Sequence, residues 1–222
     1  MTSTDLAPVQ GPPPEPGRIE RLSHDKHGRA VPWFVAWIDG VPDHRIIKPG
    51  AASMALDGRW CWTCGIPFQR QEYRAFVIGP MCAVNHLSSE PPSHPECARY
   101  SVQVCPFLTT PRMTRRDRHL PPGTTLPAGH MIMRNPGVVL VWIVGYNTWG
   151  PLRAPDGLLF DIGDPVSVEW WSEGRAATRG EAEASLDSGL PELRKLAKRQ
   201  GPAAYATLNR RTEAARLLLP SA

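Results

Sequence analysis

Two pairs of metal-ligating residues constrain this chain more than any other feature of its sequence. Cys61 and Cys64 are separated by two residues and followed by Gly65, and His94 and Cys97 have the same separation. The two-residue spacing directs both thiolates of a Cys-x-x-Cys turn at one ion, and residues three apart at the start of a helix lie on the same side. The two pairs together are typical of a four-ligand zinc site. We therefore predict one Zn²⁺ ion, bound by Cys61, Cys64, His94 and Cys97.

The cysteine count favours a metal site over disulfides. The chain has 5 cysteines, an odd number, and its first residues have neither the basic nor the apolar region of a secretory signal. We therefore expect a cytoplasmic protein, in which thiols stay reduced. Residues 138–144, the longest apolar run, are too few to cross a bilayer, so no membrane partner is expected.

The order of the predicted elements between residues 59 and 105 resembles that of a treble-clef zinc finger. In that group a Cys-x-x-Cys knuckle is followed by a strand pair and then by two ligands at the start of a helix. Residues 32–110 also resemble uncharacterised bacterial and phage proteins that have the same cysteine and histidine motifs. The treble-clef group contains ribosomal, nuclease and regulatory members, so this resemblance implies a zinc module but no particular function.

Two further residues compete for the metal. Cys82 follows the knuckle by 18 residues and His86 comes four residues later, so either residue could replace His94 or Cys97 as a ligand, or Cys82 could provide a fifth contact. In the alternative interpretation Cys82 is a small buried apolar residue and His86 is a loop histidine with polar partners. Cys105, two helical turns after Cys97, is expected to be a core thiol.

The hydrophobic pattern predicts an α+β fold with a small mixed sheet, an inserted treble-clef-like zinc module and C-terminal helices. Residues 33–38, 138–144 and 166–171 are apolar runs that are typical of buried strands. Because strands lie on both sides of the zinc module in the sequence, we expect all three to share one sheet.

Capping signals predict where the helices begin. A capping box at Ser93 and Glu96 predicts a helix over residues 93–105. The same pattern at Thr178 begins the first of three C-terminal helices, which is expected to end near Pro191 because proline disrupts a helix interior.

The chain is expected to have three parts. It contains 25 prolines, and the proline-rich residues 1–18 carry almost no large apolar side chains, so we predict a disordered tail. Residues 19–177 form the expected α+β core, which contains the zinc module at residues 59–105. Residues 178–222 form a C-terminal helical segment.

The charge pattern is compatible with a polyanionic partner. The chain has 25 Lys and Arg against 21 Asp and Glu, a formal net charge of +4. This excess is mild, but the C-terminal helices are basic and one loop is rich in arginine, which favours contacts with phosphates. The loop residues predicted to bind nucleic acid are Arg112, Arg115, Arg116 and Arg118. The sequence thus predicts a zinc-stabilised, non-enzymatic protein that binds nucleic acid or acts as a protein adaptor.

An enzyme is the alternative, and the sequence provides few catalytic features for it. A zinc deaminase needs His-x-Glu before its Cys-x-x-Cys, and here the order is reversed. The sequence around His86 is similar to the Asp-His-Ile of HNH nucleases, which are also built on a treble clef, but the later Gly-Gly-x-x-Asn and the final histidine are missing. Four Cys and His ligands would leave no open position for water, so we assign no catalytic residue. A divergent HNH-like nuclease that uses His86 and a carboxylate remains the second hypothesis.

Overall fold

The structure is a computed structural model with an α+β architecture. It describes residues 13–56, 59–114, 120, 124, 128–129, 134–155 and 157–221. The strands in these residues are β1 (Val35–Ile38), β2 (Val41–Ile47), β3 (Arg74–Ile78), β4 (Leu87–Ser88), β5 (Val139–Val144), β6 (Gly150–Ala154), β7 (Gly157–Asp161), β8 (Ser167–Ser172) and β9 (Arg175–Ala176). The helices are α1 (Ala51–Leu56), α2 (Pro80–Asn85), α3 (Pro95–Val104), α4 (Pro106–Thr109), α5 (Arg179–Gln200) and α6 (Pro202–Leu217).

The strands form three antiparallel sheets, ordered β1-β2, β3-β5-β8-β9 and β4-β7-β6. The prediction of one shared sheet is therefore wrong for residues 33–38, whereas β5 and β8 do pair with each other. Asp39 and Gly40 both have positive φ angles, which suits a tight hairpin turn, and β1 therefore pairs locally with β2. Strand β5 pairs with β3 on one side and with β8 on the other.

Strand β5 is the centre of the core, and each of its residues is buried. One face of the strand packs into the largest apolar cluster, with Trp142 beside Phe76 and Phe160. The opposite face packs against α3, where Val141 contacts the cluster that contains Ala98 and Val102. Because Cys97 lies in α3 and His94 immediately precedes this helix, the sheet supports the site directly.

Helix α5 is continuous through Pro191, so the predicted break there is wrong. Its capping box is present as expected: the Thr178 hydroxyl accepts a 3.3 Å bond from the Glu181 amide, and the Glu181 carboxylate accepts a 2.8 Å bond from the Thr178 amide. Gly189 allows close packing on α2, because a Cβ there would lie 2.6 Å from the Met81 sulfur. We attribute the continuity to this packing, which offsets a proline cost of about 3 kcal/mol.

The predicted tail, residues 1–18, falls mostly outside the described part of the chain. Within that part, the Glu15 carboxylate accepts a 3.0 Å hydrogen bond from the Tyr100 hydroxyl, and Ile19 is fully buried beside the cysteines. These contacts attach residues 15–19 to the zinc module. Within the described residues, none of the helices has both the length and the apolarity that a bilayer crossing requires.

Candidate metal centre

The structure brings together the four side chains that the sequence pairs predict. One ligand atom from each of Cys61, Cys64, His94 and Cys97 lies within 4.8 Å of the other three. The Sγ atoms of Cys64 and Cys97 are 3.4 Å and 3.9 Å from the Nδ1 atom of His94. Tetrahedral zinc, with bonds of about 2.3 Å to sulfur and about 2.1 Å to nitrogen, requires an S to N separation of about 3.6 Å. The donor set and its spacing therefore fit a bound metal ion, for which zinc is the usual choice.

The first two ligands lie in a tight turn that depends on Gly65. The Gly65 amide donates to the Cys61 carbonyl over 2.9 Å, and the Cys64 amide points at the Cys61 sulfur over 3.4 Å. Gly65 has a φ of +66°, and a Cβ at this position would lie 2.2 Å from Cγ of Trp33. Both the backbone conformation and the packing therefore require glycine here.

The second two ligands lie at the start of α3. His94 immediately precedes the helix, Cys97 is in its first turn, and the His94 amide points at the Cys61 sulfur over 3.3 Å. The predicted Ser93 capping box is wrong, since His94 is the cap residue. The Ser93 hydroxyl instead forms a 2.7 Å hydrogen bond with the Thr63 hydroxyl, which joins the helix start to the knuckle.

The segment between the two ligand pairs is more elaborate than a strand pair. After the knuckle, β3 leaves to pair with β5, and α2 and β4 follow before the chain returns to the site. On its return, Ser93 forms two 2.8 Å backbone hydrogen bonds with Ala75, which make an isolated antiparallel bridge. In the described residues this bridge occupies the place of the expected strand pair.

The four ligands are almost completely shielded from solvent, with exposed fractions of 0% for Cys61, His94 and Cys97 and 6% for Cys64. The neighbouring Cys61 sulfur, and then burial, raise the pKa of Cys64 to about 12. The Cys61 and Cys64 sulfurs also raise the pKa of Cys97. For Cys61, burial opposes ionisation, but hydrogen bonds from the other thiols and His94 lower its pKa. Three thiolates in this space thus require a cation between them.

A second layer of residues, which the sequence analysis missed, surrounds His94. Oε2 of Glu72 lies 3.4 Å from the buried Nε2 atom of His94, although the two atoms are not aligned as a hydrogen bond. Nη1 of Arg18 lies 3.0 Å from Glu72 and 3.3 Å from Glu96. A carboxylate behind a ligating histidine fixes the ring orientation and increases its basicity.

Arg74 provides a second cation close to the ligands. Its guanidinium lies 3.7 Å from the ring centre of Phe68, and that ring is 4.4 Å from the ring of His94. Three thiolates, one neutral histidine and Zn²⁺ carry a net charge of −1, which Arg18 and Arg74 help to balance. No motif or spacing in the sequence points to either arginine. Arg18, for example, meets Glu72 across 54 residues of chain.

The alternative ligands Cys82 and His86 lie outside the four-residue cluster. Cys82 packs beside the largest apolar cluster, where burial raises the pKa of its thiol to about 11, as expected for a small core residue. His86 has left-handed backbone angles at the end of α2, and the edge of its ring contacts Trp142 with 5.4 Å between ring centres. It lines an open surface pocket of about 450 Å³, together with Asp161, Asp164 and Arg211.

The predicted arginine loop is only partly described. Arg112 is exposed and has a positive φ of 61°. Arg115, Arg116 and Arg118 lie outside the described residues. The loop therefore remains a prediction based on its sequence.

Comparisons with known protein families, curated proteins and solved structures found no match for this chain. The chemistry of the site is that of a buried set of three sulfurs and one nitrogen, which is typical of a structural zinc site.

Proposed function

We propose that this chain is a zinc-stabilised, non-enzymatic binding protein with a treble-clef-like module at residues 59–105. The observation that carries the proposal is the convergence of four buried donors, Cys61, Cys64, His94 and Cys97. Four protein ligands complete the tetrahedral coordination of zinc and leave no position for a substrate or a reactive water. Bound zinc would therefore hold the fold together and take no part in a reaction.

The position of the ligands explains what the metal would stabilise. The knuckle ligands hold the turn that packs against Trp33, and the other two ligands hold the start of α3, which packs on β5. Structural zinc contributes on the order of 10 kcal/mol in small finger modules. Zinc would thus connect the N-terminal hairpin region to the central sheet, and its removal would release the module.

The proposed partner is nucleic acid, bound in part by the arginine loop. Four arginines in seven residues favour phosphate contacts, and Arg112 at the described end of this loop is exposed. The test is fluorescence anisotropy of a labelled DNA duplex at two salt concentrations. Neutralising Arg112, Arg115, Arg116 and Arg118 should lower the log–log salt slope by up to about 0.9 for each lost phosphate contact.

The protein-adaptor version of the proposal predicts a different result. In that case the wild type does not bind the duplex at physiological salt, and a partner captured from cell lysate stays bound after nuclease treatment. Equal weak binding of the duplex by the wild type and the four-arginine variant would also contradict a role of the loop in phosphate binding.

A divergent nuclease is the second candidate, and the pocket at His86 favours it. Nδ1 of His86 lies 3.9 Å from the Asp164 carboxylate, and Arg211 is on the same pocket wall. An imidazole beside a carboxylate can act as a general base, and an arginine can hold a phosphate. This candidate predicts nicking of plasmid DNA that requires a divalent metal and is lost in His86→Ala. Nicking that persists in this variant would exclude His86 as the catalytic base.

A further inference from the structure

The C-terminal helices carry a dense positive charge that the zinc site does not explain. Between Leu193 and Thr212 the chain has six Lys and Arg residues and no Asp or Glu. All six side chains are exposed, and five of them define what we call the C-terminal basic surface: Arg194, Lys195, Lys198, Arg199 and Arg210. The sixth, Arg211, is left out because it donates a 2.7 Å hydrogen bond to the Asn85 carbonyl.

The helical spacing places the four cations of α5 together. Arg194 and Lys198 are four residues apart, as are Lys195 and Arg199, so the two pairs lie side by side on one face. The apolar residues between them face inward, where Ala197 is buried in the cluster that joins α5 and α6 to α2. The packed helix therefore presents the four cations to solvent as one strip.

Two exposed carboxylates, Glu192 and Glu213, flank this surface in the sequence. Other arginines of the C-terminal segment are paired, as in Arg179 with Glu183 and Arg216 with Asp187. Among the residues that the structure describes, none of the five forms an ion pair with a carboxylate. The negative end of the helix dipole would stabilise cations in the last turn of α5, which explains the positions of Lys198 and Arg199 but not those of the other three.

We propose that the C-terminal basic surface binds the phosphate backbone of double-stranded nucleic acid. This inference rests on the nucleic-acid partner proposed above and adds a second contact surface, on α5 and α6, to that of the arginine loop. A duplex presents one negative charge for about every 1.7 Å of its axis, which suits a strip of cations without intervening acids.

The surroundings of the surface favour a duplex over other anionic partners. A helix that binds a membrane presents large apolar side chains beside its cations, and a protein interface usually has an apolar or aromatic anchor at its centre. Across the described residues 190–212, the large apolar side chains are buried or partly buried, and the exposed ones begin only at Leu217. The surface thus offers charge without an anchor, which is the character of backbone contacts to nucleic acid.

The test compares two variants of the full zinc-loaded chain that lose the same charge at different places. The first replaces Arg194, Lys195, Lys198 and Arg199 by glutamine. The matched control replaces four exposed cations elsewhere by glutamine: Arg21, Lys26, Arg70 and Arg153. Both are assayed by anisotropy with a labelled DNA duplex over a range of salt concentrations, after equal zinc content and equal thermal unfolding have been verified.

We expect the α5 variant to bind the duplex at least about tenfold more weakly than the control, with a salt slope reduced by up to about 3.6. Equal weakening in both variants would overturn the inference, since net charge alone would then explain it. If the α5 variant binds the duplex as tightly as the wild type, this inference is overturned, and the arginine loop is then the proposed phosphate contact. If the wild type does not bind the duplex, the proposal of a nucleic-acid partner is itself overturned, and this holds whether or not the protein binds phosphatidylserine vesicles. The zinc content tests the structural metal separately.

Discussion

Substituting Gly65 by alanine should destabilise the protein through one well-defined contact. The new Cβ would lie 2.2 Å from Cγ of Trp33, and the residue would keep a φ of +66°. A left-handed non-glycine residue costs about 1–2 kcal/mol. Moving Trp33 also disturbs its stacking on Trp60, at 6.4 Å between ring centres, and its contact with Lys48, at 3.8 Å. These two contacts are worth about 1–2 kcal/mol together, so we expect a loss of about 2–4 kcal/mol in unfolding free energy.

The assay is reversible chemical denaturation of the zinc-loaded protein, with Gly180→Ala as the matched control. Gly180 lies in the first turn of α5, where a Cβ would meet no atom within 4 Å. Because alanine is the better helix former, the control should be unchanged or more stable by up to about 1 kcal/mol. Gly65→Ala should also lower the melting temperature by about 5–15 °C. Wild-type stability of Gly65→Ala, or an equal loss in the control, would refute this account of the knuckle.

Three further predictions concern single side chains. Glu72→Gln should weaken zinc binding by about 10–100-fold in a chelator competition, because the carboxylate behind His94 loses its charge; unchanged affinity would argue against that role. Thr178→Ala should cost about 1 kcal/mol of unfolding free energy by removing the cap of α5, and a cost near zero would mean that the cap is redundant. Arg175, and then the Thr178 amide, lower the pKa of Glu181 to about 2. Its stabilising contribution should therefore be complete above about pH 5 and be lost as the pH falls towards 2, and Glu181→Gln should flatten this part of the stability curve.

Local spacing made the clustering of Cys61, Cys64, His94 and Cys97 predictable from the sequence. The two ligand pairs each lie within one turn of backbone, so their geometry depends on residues that are adjacent in the chain. The Thr178 capping box is equally local and is present as predicted. The apolar runs also indicated β5 and β8, because both strands contribute to the core of one sheet.

Features that depend on distant parts of the chain were not predictable in the same way. Glu72 and Arg18 meet only after the N-terminal segment has folded onto the module, and no spacing rule relates them. The local cost of Pro191 predicts the end of a helix, whereas the packing of Gly189 on Met81 is a tertiary contact. The predicted Ser93 cap is absent for a similar reason, because the Ser93 hydroxyl forms a hydrogen bond with Thr63 of the knuckle instead.

Metal analysis of the purified chain measures whether the four donors bind zinc. We expect one zinc per chain in the wild type and in Cys82→Ser, whose thiol packs in the core. We expect loss of the zinc in Cys97→Ser, together with unfolding of at least residues 59–105, because a ligand would be missing. A wild type without zinc, or loss of zinc from Cys82→Ser with full retention in Cys97→Ser, would contradict the proposed metal centre.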